Sequence, residues 1–342
     1  MGISLKPLKE QVIVITGASS GIGLATARAA AKKGAKLVLA SRNKEALANI
    51  EQQINADGGQ AIHVVADVGQ KEDVQKIADA AIQKFGGFDT WVNNAGLSIY
   101  GRLEEVSDED SHRLFETNFW GLVTGSLIAA KHLKSKGGAI INLGSVLSDV
   151  AIPMQGMYAA SKHAVKGFTD ALRIELDEDK APVSVTLIKP AGINTPYPQH
   201  AKNYTDRELT LPPPVYAPEE VANAILHAAT QPKRDIFVGG GGKAMSSTNK
   251  YAPSIMDWAG RSMMTDLQLS DEPAQHHDGS LHQPGQDGEV HGNYKGHVMK
   301  TSLYTRASMH PLITSAVVAA ASAAAIALFG NNNVKQKIKS MK

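Results

Sequence analysis

The stretch that decides the fold is Val12-Ile13-Val14-Ile15-Thr16-Gly17-Ala18-Ser19-Ser20-Gly21-Ile22-Gly23. Its first five residues are β-branched and predict a strand, and alanines at helical spacing follow the glycines. Gly17 permits a tight turn, Gly21 lets backbone N–H groups approach a pyrophosphate, and Gly23 allows close packing of helix on strand. A glycine-rich turn alone can equally be a flexible loop, so its position between strand and helix supports a dinucleotide site.

Outward from this stretch, short apolar runs alternate with helical patterns, which is typical of βαβ units around a parallel sheet. The predicted strands are 12–16, 35–40, 61–65, 90–93, 139–143, 183–189 and 235–238. Several are apolar on both faces, as expected for strands covered by helices on each side. We therefore predict an α/β fold with a doubly wound, Rossmann-type parallel sheet of about seven strands, in a single catalytic domain over residues 8–240.

The remaining residues predict a C-terminal extension. A docked helix at 253–264 and a poorly ordered linker at 271–296, rich in His, Gln, Asp, Gly and Pro, are expected within 241–306. Residues 307–331 predict a hydrophobic, alanine-rich helix, and 332–342 a basic tail. The 18 residues 312–329 carry no charge but include eight alanines, so a membrane anchor and a soluble or interfacial helix both remain open.

Composition excludes several classes of protein. The 35 basic and 33 acidic residues balance to a net charge of +2, which argues against nucleic-acid binding. The absence of cysteine excludes disulfides, thiolate metal sites and cysteine nucleophiles. The histidines of the linker match no metal-ligand spacing, so no metal is predicted. No secretory signal is visible, so we expect a cytoplasmic protein, with the C-terminal segment as a candidate membrane tether.

The residue after the second strand bears on the choice of cofactor. Arg42 stands where dinucleotide folds use an acidic residue to hold ribose hydroxyls or an arginine to hold a 2′-phosphate. It favours NADP(H) over NAD(H), although it could also be an ordinary exposed arginine. After the third strand, Asp67-Val68 offers a carboxylate for an adenine amino group, unless Asp67 is a helix N-cap.

Tyr158 and Lys162 lie four residues apart and so share one face of a predicted helix. An adjacent ammonium stabilises a phenolate, so we expect Lys162 to lower the pKa of Tyr158 toward the working range. The pair alone would more often be a solvated helix face. Ser145 follows a strand at the carboxyl edge of the sheet, where its hydroxyl can hold a substrate oxygen, although a lone serine there would usually be a helix cap.

These motifs together resemble the short-chain dehydrogenase/reductase family over roughly residues 8–240. The matching positions, in order and spacing, are Thr16 to Gly23, Asn93-Asn94-Ala95-Gly96, Asn118, Ser145, Tyr158 and Lys162. The resemblance implies that Tyr158 exchanges a proton with the substrate oxygen and that Ser145 orients this oxygen. It also implies that Lys162 bonds the nicotinamide ribose and that Asn118 positions a water linking Lys162 to solvent.

The loop Lys189-Pro190-Ala191-Gly192-Ile193-Asn194-Thr195 resembles the Pro-Gly loop that closes over the nicotinamide in this family. Ala191 departs from the family's common glycine, which is tolerated where positive φ is not needed. Residues 196–216 are the expected substrate lid. The full set of expected cofactor contacts is Thr16, Gly17, Ser19, Ser20, Gly21, Ile22, Gly23, Arg42, Asp67, Val68, Asn94, Ala95, Gly96, Tyr158, Lys162, Pro190, Gly192, Ile193 and Thr195.

The expected function is therefore an NADP(H)-dependent oxidoreductase that interconverts a carbonyl and a secondary alcohol by hydride transfer. Its partner would be a small-molecule substrate, and the family resemblance implies a homodimer or homotetramer. Two alternatives stay open: a catalytically silent NADP(H) sensor, and a membrane-tethered interaction module. The presence of Ser145, Tyr158 and Lys162 together favours the enzyme.

Overall fold

The computed structural model describes residues 3–275, 277–285 and 287–312, with 314–316, 319 and 322 beyond them. Most of the alanine-rich segment 307–331 and all of the basic tail 332–342 therefore lie outside the described residues. Among the residues that are described, no helix has the length and apolar character needed to cross a membrane. The membrane anchor stays a prediction of the sequence.

In chain order, the described strands are β1 Val12–Thr16, β2 Lys36–Ser41, β3 Gln60–Val65, β4 Thr90–Asn93, β5 Ile99–Tyr100, β6 Gly138–Leu143, β7 Val183–Pro190, β8 Gly192–Ile193, β9 Lys202–Asn203, β10 Arg207–Leu209, β11 Val215–Tyr216, β12 Asp235–Val238, β13 Leu269–Pro273 and β14 Val298–Met299. The α-helices are α1 Gly21–Lys32, α2 Lys44–Ala56, α3 Lys71–Phe85, α4 Asp108–Phe115, α5 Gly121–Leu133, α6 Gly156–Glu178, α7 Tyr197–His200, α8 Pro218–Ala228, α9 Gly240–Tyr251, α10 Pro253–Ala259, α11 Thr265–Leu267 and α12 Leu303–Met309. Short 3-10 helices occupy Leu8–Glu10 and Val146–Ser148, and π-helical turns occupy Glu116–Trp120 and Gly260–Met264.

Seven of these strands form one parallel sheet in the order β3-β2-β1-β4-β6-β7-β12. In the middle of the sheet, Val14 of β1 pairs with Val38 of β2 and with Trp91 of β4. The order runs outward from β1 in both directions, which is the doubly wound Rossmann arrangement. The predicted fold class is confirmed, and each predicted strand agrees with the structure to within one residue at either end.

The core lies on both faces of the sheet because alternate residues of each strand point to opposite sides. On one face Ile13 and Ile15 belong to a buried cluster with apolar residues of α1, α2 and α8. On the other face Val12 and Val14 pack in a second cluster with residues of α3, α5 and α6. Burying both faces leaves the carboxyl edge of the sheet as the place where loops can build a site.

Residues that follow the main domain pack back onto it. Helix α12 lies beside β12, where Thr305 Oγ1 accepts a hydrogen bond from Gly239 N at 3.0 Å. The predicted docked helix corresponds to α10 and the π-helical turn after it, which reach Pro153 through Gly260. The composition of residues 271–296 predicts a linker. The described part of this segment lies across the carboxyl edge of the sheet and forms hydrogen bonds with the glycine-rich turn. Its expected poor order stays a prediction.

Candidate active site

A cavity of about 580 Å³ runs along the carboxyl edge of the sheet, from the glycine-rich turn to Tyr158. Pockets of this size accommodate cofactors and small ligands. Most of the predicted site residues line its wall: Gly17, Ser19, Ser20, Gly21, Ile22, Arg42, Asp67, Val68, Asn94, Ala95, Gly96, Ser145, Tyr158, Lys162, Pro190, Gly192, Ile193 and Thr195. Thr16, Gly23 and Asn118 do not line the cavity. Each of them instead contacts a residue that does.

Thr16 and Gly23 hold the glycine-rich turn in place. Thr16 Oγ1 accepts hydrogen bonds from Asn94 N at 3.0 Å and Ala95 N at 3.1 Å, so it ties the end of β1 to the loop after β4. A Cβ on Gly23 would lie 2.0 Å from Gly17 O, closer than any side chain tolerates. These two residues therefore hold the turn in place although they do not line the cavity.

The turn itself fits a phosphate-bearing ligand. Gly17 has φ of 64° and Gly21 has φ of 51°, a left-handed conformation that favours glycine. A Cβ on Gly17 would also come within 2.8 Å of Ala95 Cα. The N-terminus of α1 opens into the cavity at Gly21 and Ile22, and helix N-termini favour the binding of anions.

Arg42, which follows β2, and Asp67, which follows β3, both lie near a third charged residue, Arg113. Arg113 Nη2 donates to Asp67 Oδ2 at 2.5 Å, and Asp67 Oδ1 accepts from Gly69 N at 2.9 Å. The N-cap of α3 is Gln70, so Asp67 is not a helix cap. Burial, together with the nearby charge of Arg113, lowers the pKa of Arg42 below its usual range.

Tyr158 and Lys162 project from the first turns of α6, as their spacing predicts. Both are buried, and Lys162 Nζ lies 5.6 Å from the centroid of the Tyr158 ring. The ammonium donates to Leu143 O at 2.8 Å, at the end of β6. Burial lowers the pKa of Lys162 to about 8, which keeps the side chain mainly protonated at neutral pH.

The Tyr158 hydroxyl forms hydrogen bonds with the side chains of Ser145 and Tyr197. Burial raises the pKa of Tyr158 above 10.0, and these two hydrogen bonds oppose the rise only in part. The sequence-based expectation that Lys162 lowers this pKa therefore differs from the structure, because loss of hydration disfavours the phenolate. A protonated Tyr158 at neutral pH is suited to donate a proton.

Ser145 is both a helix cap and a member of the site. Its Oγ accepts from Leu147 N at 3.0 Å at the start of the short 3-10 helix, which fixes the side chain. The same hydroxyl reaches Tyr158. The two interpretations that the sequence leaves open are thus compatible.

Asn118 lies in the π-helical turn between α4 and α5 and is fully buried. Its Oδ1 accepts from Leu97 N at 2.7 Å, and its Nδ2 donates to Leu97 O at 2.9 Å and to Ser161 Oγ at 3.2 Å. A Cβ on Gly96 would lie 3.5 Å from Asn118 Oδ1 and 3.6 Å from Lys162 Nζ. Asn118 thus fixes the loop that lies beside Lys162.

The Pro-Gly loop closes the middle of the cavity. β8 within it pairs in parallel with β11, which fixes Gly192 and Ile193. The φ angle of Ala191 is not positive, so alanine is accommodated there without strain. The expected lid contributes Pro196, Tyr197 and 211–214 to the wall.

Sequence reasoning missed two groups of wall residues. The first contains Gln155, whose Oε1 accepts a hydrogen bond at 3.0 Å from the hydroxyl of the lid residue Tyr197, and the apolar side chains of Met245, Met263, Met264 and Leu267. The second is supplied by the C-terminal segment and contains Ser280, Pro284, Gly285 and Asp287. No local pattern marks either group, since each comes from a loop or a helix that reaches the site only through tertiary packing.

A model of the short chain dehydrogenase family matches residues 11–205, more than half of the chain. The chain belongs to the short-chain dehydrogenase family. Among its relatives, an uncharacterized oxidoreductase, YxnA of Bacillus subtilis, is 46% identical over 321 residues, which cover 93% of this chain and 90% of that protein. This similarity continues well beyond the residues matched by the family model.

Two solved structures share the fold, the first of them a short chain dehydrogenase/reductase. One, from Burkholderia phymatum in complex with NAD, is 28% identical with a TM-score of 0.66 and covers 73% of this chain and 96% of its own. The other is an alcohol dehydrogenase from Thermococcus sibiricus complexed with 5-hydroxy-NADP. It is 29% identical, with a TM-score of 0.59 and coverage of 67% and 95%.

Proposed function

We propose that the protein is an NADP(H)-dependent oxidoreductase that interconverts a carbonyl and a secondary alcohol. The observation that carries the proposal is the buried Tyr158 hydroxyl, hydrogen-bonded to Ser145 and Tyr197, in the same cavity as the glycine-rich turn. The family and the complexes of the two solved structures with NAD and an NADP derivative support a nicotinamide cofactor.

Different parts of the cavity would bind different parts of the dinucleotide. The glycine-rich turn and the N-terminus of α1 would hold the pyrophosphate, and Lys162 with the Pro-Gly loop would hold the nicotinamide ribose and ring. The bound dinucleotide supplies the hydride for the substrate carbon in the reductive direction. Arg42 would bind the 2′-phosphate, which is the basis for proposing NADP(H).

Proton transfer falls to Tyr158. In reduction the Tyr158 hydroxyl donates its proton to the carbonyl oxygen, and Ser145 donates a hydrogen bond that stabilises the developing negative charge. The phenolate left on Tyr158 is stabilised by the Lys162 ammonium and by Tyr197. In oxidation the same proton moves back to Tyr158, which must then be ionised.

The substrate end of the cavity is mainly apolar. Met245, Met263 and Leu267 face it from the extension, and Leu147 and Ile152 from the loop after β6. Gln155 and Tyr197 are the polar groups near the reacting hydroxyl. We infer a substrate with one carbonyl or hydroxyl group on an apolar body.

A homodimer or homotetramer is part of the proposal. Trp120 and Leu127, on the α4–α5 helical run, and Ile174 on α6 are more than half exposed, and such exposed apolar side chains are available for a subunit interface. Light scattering of the purified protein tests this point.

The cytoplasmic location stays a prediction of the sequence.

The proposal is tested by titrating the full chain with NADPH and NADH, followed by a panel of apolar ketones and aldehydes read at the reduced-nicotinamide absorbance. We expect binding of both reduced cofactors, tighter binding of NADPH, and turnover of at least one carbonyl. Binding without turnover on any substrate would favour the NADP(H) sensor, and failure to bind either cofactor would refute the proposal.

A further inference from the structure

A short segment far from the family-matched region forms one wall of the cavity. We define the cofactor strap as residues 280–285 and 287–289. It lies across the end of the cavity where the glycine-rich turn meets the end of β2, and Ser280, Pro284, Gly285 and Asp287 line the cavity there. The family model ends at residue 205, so the strap belongs to the extension.

Three hydrogen bonds fasten the strap to the glycine-rich turn. Gly21 N donates to Glu289 O at 2.9 Å, and Gly288 N donates to Ser19 O at 2.9 Å. The Ser19 hydroxyl donates to Asp287 Oδ2, also at 2.9 Å. The strap therefore contacts the turn that would hold the phosphates of a dinucleotide.

The strap also occupies the donors of Arg42. Arg42 Nη1 donates to Leu281 O at 3.1 Å, and Nη2 donates to Ser280 O. Arg113 Nε donates to the same Leu281 carbonyl at 3.2 Å. A backbone carbonyl thus accepts hydrogen bonds from two guanidinium groups, and guanidinium groups are also strong donors to phosphate oxygens.

Asp287 adds a negative charge to this end of the cavity. Its side chain is only 11% exposed, and His200 Nε2 lies 3.9 Å from Oδ1. It is near enough to Arg42 for the two charges to interact. A carboxylate near a bound adenosine ribose would accept a hydrogen bond from a free 2′-hydroxyl and would repel a 2′-phosphate.

We propose that the cofactor strap is part of the cofactor site and that Asp287 determines how strongly the protein discriminates between cofactors with and without a 2′-phosphate. The inference rests on the proposed function, because it assumes that a dinucleotide occupies the cavity. The attraction of Arg42 for the phosphate is opposed by Asp287 and by the strap carbonyls. Asp287 therefore limits the preference for NADP(H).

The test compares Asp287→Asn with Asp278→Asn in the full chain. Asparagine keeps an acceptor for the Ser19 hydroxyl but removes the charge. Asp278 is the matched control, because its side chain is 95% exposed and neither it nor its partner Lys202 lines the cavity. Kd values for NADPH and NADH are measured by fluorescence titration, with adenosine 2′,5′-bisphosphate and 5′-AMP as probes of the adenosine end.

For Asp287→Asn we expect the ratio of NADH Kd to NADPH Kd to rise about tenfold, with the same direction for the two adenosine probes. Asp278→Asn should leave the ratio unchanged. An unchanged ratio in Asp287→Asn, or equal changes for both cofactors, would overturn the inference. If circular dichroism shows that Asp287→Asn is misfolded, Asp287→Ser is measured in its place.

The two proposals fail in different ways. Selective binding that shifts with Asp287→Asn but no turnover of any carbonyl would support the strap and refute the oxidoreductase. Turnover, together with a ratio of NADH Kd to NADPH Kd that is the same in Asp287→Asn and wild type, would refute only the proposal for the strap. A wild-type chain that binds neither cofactor would refute both.

Discussion

The hydroxyl groups of Tyr197 and Tyr158 are hydrogen-bonded to each other, and their rings meet edge-on with centroids 5.7 Å apart. Tyr197 also lies 2.8 Å from Ser98 Oγ and 3.0 Å from Gln155 Oε1. Burial raises the pKa of Tyr197 well above 10.0, so it stays protonated and can donate. The lid residue Tyr197 thus connects the proposed acid to a polar network on the substrate side.

Removing the Tyr197 hydroxyl is expected to change the pH dependence of oxidation. The Tyr197 hydrogen bond lowers the pKa of Tyr158, so Tyr197→Phe should raise it and move the alkaline rise of the oxidation kcat/KM to higher pH. The measurement is a pH profile of alcohol oxidation. Tyr100→Phe, a buried neighbour, is the control. Superimposable profiles for Tyr197→Phe and wild type would contradict the assigned role.

Tyr158→Phe is expected to lower kcat for carbonyl reduction by about a thousandfold, because the proton donor is lost while the ring and its packing remain. Binding of NADPH should change by less than about threefold, since the substitution leaves the glycine-rich turn intact. Steady-state kinetics and fluorescence titration measure the two quantities. Retention of wild-type turnover would remove Tyr158 from the mechanism.

Carbonyl reduction is expected to lose activity as pH rises through about 8, the pKa of Lys162. Below this pH the ammonium is present and Tyr158 is protonated, so kcat/KM should be level. Above this pH the Lys162 charge that stabilises the phenolate is lost. The value of kcat/KM should then fall, with a limiting slope of about tenfold per pH unit. Lys162→Met should show low activity with no step near this pH. A step that persists in Lys162→Met would assign it to another group.

Two glycine-to-alanine substitutions should have opposite effects on stability. Gly23→Ala places a Cβ 2.0 Å from Gly17 O and forces α1 away from β1, so we expect a loss of about 2 to 4 kcal/mol in the free energy of unfolding. Gly167→Ala in α6 meets nothing within 4 Å and should gain about 0.5 to 1 kcal/mol. Urea unfolding measures both. Equal stabilities would contradict the close packing assigned to Gly23.

His227 on α8 is expected to make the fold sensitive to acid. Burial, and then Lys233 and His310, lower its pKa to about 4, and its Nε2 has no hydrogen-bond partner among the described residues. The unfolded chain binds a proton at His227 near pH 6.5, so stability is lost as pH falls from there to about 4. After allowance for solvent screening of this partly exposed ring, the loss is about 1 kcal/mol.

The acid effect is measured as the difference in Tm between neutral pH and about pH 5. His227→Gln should reduce this difference, and His112→Gln, at an exposed position on α4, should not. Equal pH dependence in His227→Gln and wild type would assign the acid sensitivity to other groups.

The sequence alone was sufficient for the features whose partners lie within one element or follow from strand order. The strand–turn–helix of residues 12–23 and the Tyr158–Lys162 spacing are local, so residue type and periodicity specify them. The carboxyl ends of parallel strands must share an edge, which is why residues as far apart as Gly17, Ser145 and Gly192 could be assigned to one site.

Only the tertiary structure decided what surrounds these residues. The partner of Arg42 is a carbonyl 239 residues away, and the path of a loop across a sheet edge leaves no periodic pattern in the sequence. The shift in the pKa of Tyr158 was likewise beyond prediction, because burial raises this pKa and depends on the whole packing around the ring. Local spacing thus determined which groups can react, and long-range packing determined their hydration and their partners.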